Sequence, residues 1–150
     1  MKTAILVLMF TTLSVATPSD TSRADVQRAA PPSILQVSPS LVHFGTKQIG
    51  TFTLRGARIT NTSSQTINLI VTNSSLPDDF SFGILPGSTA PVFEPEAFEP
   101  GQSCRAVVGF RPSEFWAGQQ QFAQLLARAT DPVTNEVLEE VLIDFTGTGK

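Results

Sequence analysis

The chain has 150 residues, a formal net charge of −3 and 15% charged residues against 41% hydrophobic ones, enough for one domain with an ordinary core and too apolar for a disordered chain. Mild acidity argues against nucleic-acid or anionic-membrane partners. A single cysteine, Cys104, excludes any intramolecular disulfide.

Residues 1–16 read as a secretory signal: Lys2, an apolar run from Ala4 to Phe10, and small residues Ser14-Val15-Ala16 at a cleavage site. Interrupted by Thr11, Thr12 and Ser14, the run is too short to span a bilayer. Cleavage there removes Lys2 and leaves the chain more acidic by one charge. The mature protein is expected to be soluble, monomeric, and secreted or periplasmic. Residues 17–33 (TPSDTSRADVQRAAPPS) lack an apolar period and read as a flexible leader.

From Ile34 onward the pattern is strand and turn. Ile34–Val37 and Leu41–Phe44 are short strand signals split by Ser38-Pro39-Ser40, as suits an edge strand. Thr51–Thr60 changes phase: Phe52 and Leu54 fall on even positions, Ala57 and Ile59 on odd ones, so a bulge is expected at Gly56. Thr66–Thr72 alternates with Ile67, Leu69 and Val71 inward, and Phe80, Phe82 and Ile84 form a short strand. Residues 85–101 read as a long proline-rich connection carrying Phe93 and Phe98 beside Glu94, Glu96 and Glu99.

The clearest strand follows a Pro100-Gly101 turn. Cys104, Ala106, Val108 and Phe110 share one face, while Arg105 and Arg111 stay on the other; Pro112 ends the ladder. Residues 113–118 turn back. Gln121–Ala129 is extended, but both Phe122/Leu126 and Leu125/Ala127/Ala129 could face inward. After the turn 131–135, Val141, Ile143 and Phe145 share a face of the closing strand. Seven or eight strands without a helix predict an antiparallel β-sandwich.

Several motifs occur in a shared order: Ser38-Pro39-Ser40-Leu41 before Phe44-Gly45, Ile59-Thr60-Asn61-Thr62, Pro100-Gly101-Gln102-Ser103-Cys104, Phe110-Arg111-Pro112 and Gly147-Thr148-Gly149. Over residues 34–149 the chain resembles the hydin-type (ASH) immunoglobulin-like domain, including the bacterial choice-of-anchor D proteins, distant relatives of major sperm protein and pilus chaperones. The resemblance implies an immunoglobulin-like sandwich that binds proteins or builds surface structures, without chemistry of its own. The chain departs from that pattern at His43, where the family often has Asp, and at Ser63, where it often has Gly. It lacks the earlier cysteine that often pairs with the one at Cys104, and has Phe115-Trp116 where small residues are usual.

Groups for catalysis are few. His43, the only histidine, is expected on the solvent side of an edge strand, and Cys104 is expected in the core rather than paired between chains. Asp78-Asp79 and the Glu94/Glu96/Glu99 group lack the ligand spacing of a calcium loop and read as solvated charge. Asn61 and Asn73 head glycosylation sequons but read as turn asparagines. No enzyme, metal or cofactor is expected. The partner-binding candidates are Phe115 and Trp116, in the turn after Pro112, and Phe93 and Phe98, in the stiff acidic loop. A protein partner is expected; a carbohydrate stacking on Phe115 and Trp116 is the alternative.

Overall fold

A computed structural model describes residues 32–150. The expected signal segment 1–16 and leader residues 17–31 lie outside the described residues. The strands are β1 (Leu35–Ser38), β2 (Leu41–Lys47), β3 (Thr53–Asn61), β4 (Ile67–Ser75), β5 (Phe80–Ser81), β6 (Glu96–Phe98), β7 (Ser103–Phe110), β8 (Gln120–Thr130) and β9 (Val137–Gly149), with one 3-10 turn at Glu114–Trp116. They form a four-stranded sheet, β1-β3-β7-β5, and a five-stranded sheet, β2-β9-β8-β4-β6.

The chain crosses between sheets at Ser38-Pro39-Ser40, which is why β1 and β2 edge different sheets. One pairing differs from the expected antiparallel sandwich: β2 runs parallel to β9, from Leu41 opposite Asp144 to Lys47 opposite Gly149. Alternation within a strand reports which face is buried, not which way the neighbouring strand runs.

Period-two burial holds where the sequence is regular. Cys104, Ala106, Val108 and Phe110 enter the core from β7, with Ile67, Leu69 and Val71 from β4 and Ile143 and Phe145 from β9. On β8 the inward set is Ala123, Leu125, Ala127 and Ala129, so Phe122 faces solvent. Phe44, Phe80, Phe110 and Phe145 meet at the centre, with Phe80 and Phe110 centroids 4.7 Å apart and Phe44 and Phe110 5.2 Å apart. Burying each ring contributes about 1.5–3 kcal/mol by area.

Gly56 does not form the expected bulge; β3 pairs with β7 in unbroken register from Thr53 to Thr60. Phe52 falls out of phase because its ring lies on the outer face over Gly109, where an added Cβ would stand 2.5 Å from Phe52 Cε2. Gly56 is required for close approach instead, since a Cβ there would overlap the Ala106 carbonyl. The strand expected through Ile84 stops at Ser81, and Ile84 is exposed. Within the stretch read as a connection, β6 pairs with β4, Ile67 opposite Phe98.

Asn61 ties this end of the sandwich together. Fully buried, it donates from Nδ2 to the carbonyls of Gln65 (2.9 Å) and Phe98 (2.8 Å), and its Oδ1 accepts from the Ser63 N–H and hydroxyl. Ser33 is anchored as well: its hydroxyl donates to Glu139 Oε1 at 2.6 Å, while Glu139 Oε2 accepts from the N–H groups of Ile34 and Leu35. Glu139 is on β9, so one carboxylate links the start of one sheet to the other.

Candidate functional site at the aromatic end of the sandwich

Pro112 ends β7 because it has no N–H to extend the ladder, and the chain then turns through residues 113–119. Each side of that turn is held. Ser113 N–H donates to Asp79 Oδ2 at 2.9 Å, Gly50 N–H to the Pro112 carbonyl at 2.8 Å, and Gly118 N–H to the Gly149 carbonyl at 2.9 Å. Gly118 has φ of 76°, a conformation that favours glycine. The 3-10 turn Glu114–Trp116 is therefore presented on a fixed base.

No residue of this 3-10 turn is buried. Phe115 is 80% exposed and Trp116 37% exposed, their rings edge-to-face at 4.9 Å and 86°. Beside them is an open cleft lined by Ile49, Gly50, Asp78, Asp79, Arg111 and Pro112 as well as Ser113 and the two rings.

Asp79, expected as solvated loop charge, is only 6% exposed. Its Oδ2 accepts from Gln121 Nε2 at 2.6 Å in addition to Ser113 N–H, and its backbone carbonyl accepts from Arg111 N–H at 2.8 Å. Burial opposes its charge, but the hydrogen bonds from Gln121 and Ser113 outweigh that and hold its carboxyl below the usual aspartate range. Adjacent Asp78 and Asp79 look alike in sequence, and nothing local separates the buried one from the exposed one. A usable signal existed: Gln121 is polar at the inward register of Ala123, Leu125 and Ala127, and a buried amide needs a partner.

The four aromatic candidates do not converge. Phe93 is 73% exposed in the connection between β5 and β6, apart from the Phe115–Trp116 turn between β7 and β8. Phe98, expected as a contact residue, is 3% exposed with its ring in the core through β6, so no partner can reach it. A three-residue strand inside a proline-rich stretch has too few positions to display alternation.

Other reactive groups are apart. His43 is exposed on the edge strand β2, whereas Cys104 points into the core, where burial and the nearby Glu96 charge push its thiol up to about 11. Among the described residues no group of three or more His, Cys, Asp or Glu side chains could hold a metal ion, and no helix is long and apolar enough to cross a membrane.

No family model and no curated protein matches the chain. Solved structures do. The ASH/PapD-like domain of human CEP192 superposes with a TM-score of 0.55 at 11% identity, over 95% of this chain and 98% of that one. The Caenorhabditis elegans MSP family member WR4 gives 0.53 at 10% identity, over 78% of this chain and all of its own. The Escherichia coli chaperone DraB gives 0.52 at 12% identity, over 75% of this chain and 53% of its own. At such identities the likeness speaks for fold alone. The chain has the immunoglobulin-like β-sandwich fold shared by ASH, MSP and PapD-like domains.

Proposed function

We propose that this domain is a non-enzymatic protein-interaction module, secreted or periplasmic, that acts in cell-surface structure, adhesion or envelope assembly. The observation that carries the reading is Phe115, 80% exposed and braced against Trp116 on a hydrogen-bonded turn. A large ring held in water gains nothing for the fold, and a rigid aromatic anchor loses little entropy when a partner covers it. DraB, whose fold is similar, is a chaperone, which is in keeping with this role. The compartment rests on the signal-like segment 1–16.

A carbohydrate platform is the weaker reading. Rings at 86° to each other cannot together offer one flat surface to a sugar chain. Cross-linking in the native envelope tests the proposal, comparing the full chain with its Phe115→Ala/Trp116→Ala variant. Wild type should capture a partner that the variant loses. Equal capture by both, or none by wild type, would sink it.

A further inference from the structure

We propose that the cleft beside Phe115 and Trp116 receives a cationic side chain, arginine or lysine, from the partner polypeptide. The inference rests on this end of the sandwich being a partner surface. Two carboxylates, Asp78 and Asp79, line the same cleft as the two rings. Among the described residues the one ion pair is Arg128–Glu140, so neither aspartate has a basic partner. A nearly buried carboxylate without a counter-ion is an uncommon arrangement, and an incoming cation completes it.

The hydrogen bonding points the same way. Both donors to the Asp79 carboxylate, Ser113 N–H and Gln121 Nε2, are spent on Oδ2. The two carboxylates of the cleft are acceptors only, which suits a donor-only group such as guanidinium or ammonium. The rings add the attraction of their π-faces for a cation, strongest for tryptophan. Arg111 also lines the cleft and keeps its charge while its Nε donates to the Gly50 carbonyl at 3.1 Å, so two carboxylates face one guanidinium and the lining stays net negative. An anionic ligand would meet two carboxylates there, and a purely apolar one would bury Asp79 further without neutralising it. The net charge of −3 also favours the approach of a basic partner.

The test uses the full chain and the emission of Trp116, its only tryptophan in a sequence without tyrosine. The probes are acetyl-Gly-Arg-Gly-Arg-Gly-amide and its citrulline counterpart, which keeps the shape of arginine but not the charge. The arginine peptide should shift the emission saturably, with the citrulline peptide at least about fivefold weaker. Asp78→Asn, at an exposed position, should weaken arginine-peptide binding about threefold while the urea midpoint stays unchanged. Equal binding of both peptides, undiminished binding by Asp78→Asn, or no binding of either overturns the proposal. Equal binding would leave the aromatic contact standing; retention of the envelope partner by the Phe115→Ala/Trp116→Ala variant would remove that contact as well.

Discussion

Asn61 offers the sharpest test of how the sandwich is held closed. Asn61→Ala removes four hydrogen bonds, two donated to the carbonyls of Gln65 and Phe98 and two accepted from Ser63. The Ser63 groups and the Gln65 carbonyl can turn to water, so each of those losses costs about 0.5–1 kcal/mol. The Phe98 bond is buried, and its carbonyl, stranded beside a side chain in the core, costs about 1–3 kcal/mol. Together the loss is about 2.5–6 kcal/mol, a large part of the stability of a domain this size and roughly 10–25 °C in Tm. Urea unfolding followed by Trp116 emission and by far-ultraviolet circular dichroism measures it. Asn61→Asp separates hydrogen bonding from packing: it keeps the shape but sets a carboxylate against two carbonyls. Its deficit relative to wild type should be as large at pH 7 and shrink as pH falls, because protonation returns an O–H donor. A loss under 1 kcal/mol for Asn61→Ala would refute the reasoning.

Other outcomes follow from single contacts. Gly147→Ala places a Cβ 2.5 Å from Phe110 Cε1 and should destabilise the fold by about 1–3 kcal/mol, which the same urea titration checks. Cys104 should resist a thiol reagent at pH 8 in the folded protein and react at once in denaturant. Because burial raises its pKa from 9.0 to about 11, its contribution to stability is full below 9.0 and declines as pH rises towards 11, a loss that Cys104→Ala should abolish. Asp79 is shifted the other way, so its contribution is present above 3.8 and lost as pH falls through its lower folded value; Asp79→Asn should flatten that acid limb in pH-dependent unfolding. Phe115→Ala should change stability by less than about 0.5 kcal/mol while abolishing partner capture, since an exposed ring contributes contact rather than core.

How much of the site could be read in advance differs from residue to residue. The Phe115-Trp116 turn between Pro112 and Gly118 was legible as a turn, but whether its rings face water or cap the core was not. The Asp79–Gln121 bond beneath it was not, since it joins residues 42 positions apart. Phe93 and Phe98 look equivalent in the chain and are opposites in space, one exposed and one in the core, because only Phe98 falls opposite Ile67 on β4.

What the sequence determined by itself was everything governed by local alternation: an all-β chain, the strands β4, β7 and β9 with their core faces, the turns at proline and glycine, and a cysteine turned inward. A strand with one wet face must place apolar groups at every second residue, and that rule is written in the order of the side chains. The tertiary structure alone decided what depends on partners distant in the chain. It set the parallel pairing of β2 with β9, the inward face of β8, the strand β6, the ring of Phe52 over Gly109, and the buried carboxylate below the aromatic turn. Strand direction and the surroundings of a charge belong to neighbours hundreds of atoms away along the backbone, and no short stretch of sequence specifies them.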